Sequence, residues 1–248
     1  MNIKYDDGEG IIAPFGNIKK IPPIAIACYT KEVTDYLLEN YKGQLLGTVS
    51  KTNIYKISYN GKEVTTFTSP IGAPWAVMVL EDLISIGLKK IVYFGSCGVL
   101  DDINCYDILI PTKSYREEGT SFHYIKSKKY INVNTEYKKE FLQLLKDEGI
   151  QYRLCKVWTT DAPYRETKNK VKFFTSKGIQ CVDMESSALA TIGIYRKIGV
   201  FIFFYSADSL KNYVWDKRCL ETKNNKKFYI AILALKLAYI IENKYENK

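Results

Sequence analysis

Two segments of this chain, Ile91-Val92-Tyr93-Phe94 and Val200-Phe201-Ile202-Phe203-Phe204-Tyr205, are apolar at every successive position. Neighbouring side chains of a strand point to opposite faces, so strands of this kind must be buried on both sides. A parallel or mixed sheet covered by helices provides that environment, and a half-solvated antiparallel sheet does not. Other runs rich in β-branched and aromatic residues are Ile24 to Tyr29, Asn53 to Tyr59, Glu63 to Ser69, Asp107 to Pro111, Arg153 to Thr160 and Gln180 to Met184. They alternate with segments of apolar spacing near 3.6: Lys31 to Tyr41, Ala73 to Ile86, Thr135 to Glu148, Glu166 to Ser176, Ser186 to Ile198 and Asn225 to Glu242. The expected fold class is α/β, a single-domain three-layer α/β/α sandwich over residues 1–248 with a mixed central sheet.

A chain of 248 residues with 46% apolar and 25% charged residues can bury one sizeable core and is expected to fold along its whole length. Asp6, Asp7 and Glu9 precede any apolar run, which is not the pattern of a secretory leader, so the expected location is the cytoplasm. Phe228 to Ile241 is too short for a bilayer and is interrupted by Lys236, so no membrane partner is expected. Six cysteines lie scattered without a Cys-x-x-Cys pair, and His123 is the one histidine, so the thiols read as reduced and no metal site is expected. The net charge of +9 is spread over short lysine pairs, which fits a solvated surface or a field that attracts a small anion better than a nucleic-acid stripe. The polar stretch Lys211 to Lys227, between the last strand and the last helix, is a candidate lid.

Ligands of open α/β sheets gather where strands end, and three such places carry unusual residues. Gly95-Ser96-Cys97-Gly98 follows a buried strand: the glycines let backbone approach a ligand and Ser96 offers a hydroxyl to an anion, or the stretch is simply a tight turn. Asp183-Met184-Glu185 runs from a strand into a helix: carboxylates suit a ribose diol and positive charge growing on a sugar ring, or they cap the helix. Asp208 ends a second very apolar strand and is either a helix cap or a general acid in a pocket. No Walker loop and no Gly-x-Gly-x-x-Gly fingerprint occurs.

The three motifs in this order resemble the nucleoside phosphorylase family, which includes hexameric purine nucleoside phosphorylases, uridine phosphorylases and the methylthioadenosine/adenosylhomocysteine nucleosidases. The resemblance extends to Ser69-Pro70-Ile71-Gly72-Ala73-Pro74, to Arg116 through Tyr124, and to Thr159-Thr160-Asp161-Ala162-Pro163-Tyr164, which is similar to the family's base-pocket segment. It implies that Met184 packs on the ribose and Glu185 grips its hydroxyls, with Asp183 beside them. It implies an anion site at Ser96, Cys97 and Gly98, a base pocket formed with Thr160 and Tyr164, and Asp208 as the acid that protonates a purine at N7. The implied reaction is phosphate-dependent cleavage of the N-glycosidic bond of a purine ribonucleoside, with inorganic phosphate as co-substrate and no cofactor. The implied assembly is a homo-oligomer, a dimer or hexamer.

Departures from the family pattern keep other readings in view. Tyr93 stands where an arginine of the phosphate loop is common, and Ala27-Cys28-Tyr29-Thr30-Lys31 replaces an early Gly-Asp-Pro-x-Arg loop, leaving Lys31 as the stand-in for phosphate binding. Pro163 takes the place of a stacking aromatic residue. The Gln-x-Arg pair of uridine-specific members is absent, with Arg165-Glu166-Thr167-Lys168-Asn169 standing there. The alternatives are a uridine phosphorylase, a hydrolytic nucleosidase and a non-catalytic nucleoside-binding protein. His123, Cys97 as a nucleophile, and Arg218 near the base are secondary candidates.

Overall fold

The computed structural model describes residues 5–6, 8–126, 128–220 and 225–245. Within them the chain runs β1 (Ile24–Cys28), α1 (Lys31–Asn40), β2 (Gln44–Val49), β3 (Thr52–Tyr59), β4 (Lys62–Thr68), α2 (Ala73–Ser85), β5 (Lys90–Val99) and β6 (Ile108–Arg116). It continues through β7 (Tyr130–Asn132), α3 (Lys138–Asp147), β8 (Tyr152–Thr159), α4 (Lys168–Ser176), β9 (Cys181–Asp183), α5 (Ser186–Arg196), β10 (Gly199–Ser209) and α6 (Lys226–Tyr245). All strands and helices expected from periodicity form. The two strands that periodicity does not reveal are β2, a largely exposed strand paired with β3 alone, and β7, three residues against β6.

The strands form one mixed sheet in the order β10-β6-β8-β9-β5-β1-β4-β3-β2, with apolar layers on both faces. In β1, Ile24, Ile26 and Cys28 face α1, α3 and α6, while Ala25 and Ala27 face α2 and α5. The same alternation sends Phe201, Phe203 and Tyr205 of β10 to one layer and Ile202 and Phe204 to the other. The consecutive apolar positions are therefore filled from both sides, and burying each large side chain contributes about 1.5–3 kcal/mol.

One end of the sheet closes on itself. β10 pairs with both β5 and β6, β6 with β8, β8 with β9, and β9 with β5. This ring brings the ends of β5, β9 and β10 together and so fixes where chemistry can occur. It also corrects one expectation: Gly95-Ser96-Cys97-Gly98 is not a turn after a strand but part of β5, whose Ser96 and Cys97 pair with Tyr205 and Ser206, and whose Gly98 pairs with Val182.

Candidate active site

A cavity of about 460 Å³ opens at the closed end of the sheet. Its lining draws Ser96, Cys97 and Gly98 from β5, Asp183, Met184 and Glu185 from the β9–α5 junction, and Asp208 from β10, with Tyr29, Tyr164 and Glu166 around them. Ser96, Cys97, Gly98, Asp183, Met184, Glu185, Tyr164 and Asp208 were all expected at one site, and they share it.

The β9–α5 junction divides capping and ligand duties between its two carboxylates. Asp183 Oδ2 accepts from the backbone N–H of Ser186 at 2.7 Å and of Glu185 at 3.3 Å, and its Oδ1 accepts from the hydroxyls of Thr159 at 2.7 Å and Ser186 at 3.0 Å. Asp183 is thus the carboxylate that satisfies the start of α5. Glu185 is left free of that task and accepts from Gly72 N–H at 2.6 Å. Both are buried, and burial pushes both carboxyls upward. With four donors, Asp183 is the better stabilised anion; Glu185, desolvated and beside that charge, is raised further, to about 8.

Asp208 reaches the cavity because β10 is irregular between Ser206 and Ser209 in its pairing with β5. Its neighbour across the sheet is Gly98, where an added Cβ would lie 3.5 Å from both Asp208 carboxylate oxygens and 3.0 Å from Val182. The glycine leaves the carboxylate room. Asp208 Oδ2 accepts from the indole N–H of Trp215 at 2.8 Å. Trp215 sits on the segment after β10, which folds back through paired backbone bonds between Ser209 and Asp216. Of the candidate lid, residues 211–220 and 225–227 are described and 221–224 lie outside the described residues.

The anion side is floored by tyrosine. The Tyr29 ring packs against Gly95, where a Cβ would come within 2.7 Å of it, and buried Tyr93 stacks beside Tyr29, its hydroxyl without a hydrogen-bond partner among the described residues. Lys31 is not brought to the cavity. Its ammonium pairs with Asp35 at 2.6 Å, one helical turn on, with 80% of its side chain exposed, and that i,i+4 spacing is local helix chemistry. Lys31→Met is therefore expected to leave the KM for phosphate within about twofold, the usual outcome for an exposed pair; a tenfold rise in phosphate titrations would return Lys31 to the site.

The model of one family, described as the phosphorylase superfamily, matches residues 23–232. The chain belongs to the phosphorylase superfamily. It is an enzyme of the nucleoside phosphorylase family, the pentosyltransferases. It is 23% identical over 159 residues to a DeoD-type purine nucleoside phosphorylase of Clostridium novyi (strain NT), covering 63% of this chain and 68% of that one. It is 27% identical over 146 residues to a guanosine phosphorylase of Halorubrum lacusprofundi, covering 57% of this chain and 60% of the relative. The sequence matches thus span between three fifths and about two thirds of these relatives. The structure superposes on a uridine phosphorylase of Vibrio fischeri ES114 with a TM-score of 0.78 at 25% identity, over 89% of this chain and 93% of that one. The fold also matches a purine nucleoside phosphorylase of Toxoplasma gondii in complex with immucillin-H, with a TM-score of 0.79 at 18% identity over 92% and 94% of the two chains.

The remaining candidates of this phosphorylase take supporting places. Thr160 is buried behind the cavity, its N–H bonded to the Asp183 carbonyl and its hydroxyl to the Ala162 N–H, so it shapes the pocket without lining it. Cys97 lines the cavity, but burial pushes its thiol up, away from the thiolate form a nucleophile needs. His123 lies on a separate groove beside α2 and Arg196. Arg218 spends its guanidinium on backbone carbonyls, Ile103 at 2.7 Å and Ala207 at 3.0 Å, and thereby pins the segment after β10. Lining residues that sequence reasoning missed include Tyr29, Glu166, Lys168, Tyr213 and Trp215. Among the described residues no group of three His, Cys, Asp or Glu side chains is placed to hold a metal ion, and no helix is long and apolar enough to cross a membrane.

Proposed function

We propose that this enzyme cleaves purine ribonucleosides with inorganic phosphate, giving the free base and ribose 1-phosphate. The observation that carries the proposal is the division of labour at the β9–α5 junction: Asp183 caps the helix, so buried Glu185 beside Met184 is free to hold ribose hydroxyls. A carboxyl so placed binds the ribose hydroxyls and is drawn into its anionic form by the positive charge that develops on the sugar as the bond to the base breaks. A carboxylic acid at the opposite side suits a purine, whose N7 takes a proton as the base leaves, whereas a uracil carries its charge on carbonyl oxygens. Asp208 stands there with Glu166. Phosphate would enter over Ser96 and attack the anomeric carbon.

A second reading, with water as nucleophile, is favoured by one observation: Tyr29, with buried Tyr93 packed behind it, lines the side where phosphate must bind. One assay separates the two. Inosine, guanosine, adenosine, methylthioadenosine and uridine are incubated with and without phosphate; purine cleavage that requires phosphate and yields ribose 1-phosphate is expected. Equal cleavage in its absence would establish the hydrolytic enzyme, and a preference for uridine would move the base assignment.

The enzyme is further proposed to act in the cytoplasm as a homo-oligomer. Exposed Ile71, Trp75 and Met78 at the start of α2 and Ile194 and Tyr195 at the end of α5 support this, since contiguous apolar surface marks an interface. α2 and α5 pack together, and Ile71 also lines the cavity. A second copy seated there would border the substrate.

A further inference from the structure

The cavity holds a carboxyl group that the proposed mechanism has not used. Glu166 lies between the short 3-10 turn Pro163–Arg165 and α4, at a position fixed by Thr167, whose hydroxyl accepts the Lys170 N–H and caps that helix. It lines the same cavity as Asp208, half-buried, and among the described residues no donor pairs with its carboxyl. The groups that bear on it are Asp208 from β10, Glu117 beyond β6 and Lys170 from α4. Asp183 and Glu185 share the cavity. Lys170 does not neutralise Glu166, because its ammonium is taken up by Glu117 Oε1 at 2.5 Å, while Glu117 Oε2 accepts from the Trp158 indole at 2.6 Å. Lys168 lines the same cavity, but among the described residues no ion pair joins it to Glu166, so Glu166 shares the cavity with Asp208 without a salt-bridge partner.

We propose that Glu166 is a catalytic residue, the acid that gives the leaving purine its proton, and that Asp208 is its negatively charged partner. This rests on the function proposed above. Two carboxyls sharing one pocket are pushed apart in proton affinity, and the pair then divides acid and anion roles. Asp208 already accepts from Trp215, whereas Glu166 has nothing to stabilise its anion. Burial, and then the Asp208 charge, push Glu166 up to about 7. Its proton affinity thus lies near neutral pH, where an efficient general acid can both hold and give up its proton. In the step itself the electron pair of the glycosidic bond goes to the base, the Glu166 proton moves to N7, and a phosphate oxygen bonds to the anomeric carbon. Glu166 remains as carboxylate and recovers a proton from solvent after the base departs.

The test compares inosine with 7-methylguanosine, a purine nucleoside whose N7 is already alkylated and cationic and so needs no proton to leave. Turnover at saturating phosphate is followed from pH 6 to 9 for the wild type, Glu166→Gln and Glu166→Ala, with folding checked by circular dichroism. For inosine, kcat of the wild type should fall as pH rises through about 7, where the acid loses its proton. Glu166→Gln should lose about 100-fold on inosine together with that alkaline fall, and should stay within about threefold on 7-methylguanosine, a general acid being worth about 10² or more. Added formate should restore part of the inosine activity of Glu166→Ala. Inosine turnover within threefold of wild type, or an equal loss on both substrates, would overturn the assignment. A wild type that cleaves no purine nucleoside would sink the parent proposal as well.

Discussion

Glu185→Gln is expected to lower kcat/KM for nucleoside cleavage by about 10²–10³, in keeping with the roughly 2.7–4 kcal/mol that one preorganised electrostatic partner supplies to a transition state. The substitution keeps the size of the side chain and an oxygen that can accept the Gly72 N–H, so the loss falls on the ability to ionise as the transition state forms and not on packing. The same change should stabilise the fold at alkaline pH. The Glu185 carboxyl is raised from 4.5 to about 8 by burial first and Asp183 second, so the folded state binds its proton more tightly than the unfolded state. For a raised carboxyl, stability is full below the unfolded value and is lost as pH climbs toward the folded one. Above that window the ionised, buried Glu185 is a cost that glutamine lacks. The variant should match the wild type near pH 5 and exceed it at pH 9 by about 1–3 kcal/mol, since one pKa unit is worth about 1.4 kcal/mol and the site relaxes on ionisation. In melting curves that is a rise of roughly 2–10 °C. A variant that is active, or no more stable than wild type at pH 9, would remove Glu185 from the site.

Much of this was legible in the sequence because the decisive signals are local. Consecutive apolar residues at Ile91–Phe94 and Val200–Tyr205 require burial on both faces, and the two core layers supply it. The pairing of Asp183 with Glu185 at a strand-to-helix junction pointed to a cap or a ligand, and the structure assigns one role to each residue. What was not legible depends on closure of the sheet. A glycine pair reads as a turn when β5 is taken alone; only the ring formed with β9 and β10 shows why Gly95 must admit the Tyr29 ring and Gly98 the Asp208 carboxylate. β2 escaped because its outward side chains are largely exposed and show no apolar alternation.

Glu166 and Lys31 were misread for opposite reasons. Lys31 drew attention as a charge near a strand end, although Asp35 at i+4 already signalled a local ion pair. Glu166 reads in the sequence as the first residue of a helix and as part of a segment lacking a Gln-x-Arg pair, whereas the helix starts at Lys168 and leaves Glu166 on the cavity wall. Its position just ahead of the capping Thr167, after the base-pocket segment, was the signal that could have found it, because a residue preceding a helix cap is held at a fixed entry angle.

Asp208→Asn should reduce purine nucleoside turnover above neutral pH, by about tenfold for each unit that the Glu166 carboxyl falls, and its pH profile should show how the two carboxyls divide the work. Asn keeps the shape of Asp208, and its carbonyl can still accept the Trp215 N–H, so the segment after β10 should stay folded over the strand end. What disappears is a negative charge. Asp208 is the largest charged contribution raising Glu166, second only to burial, so Glu166 must hold its proton less tightly in the variant. The alkaline fall in kcat for inosine should therefore move to lower pH than in the wild type, in contrast to Glu166→Gln, where it should vanish. Turnover near pH 6 should suffer least, because Glu166 is still protonated there. With 7-methylguanosine, which leaves without a proton, the loss should shrink severalfold. An Asp208→Asn enzyme whose alkaline fall vanishes, beside a Glu166→Gln enzyme that keeps it, would mean that Asp208 itself donates the proton. The pair of variants then assigns the acid whichever way the limb moves, since a single proton donor cannot give both a shifted limb in Asp208→Asn and an abolished one in Glu166→Gln unless that donor is Glu166.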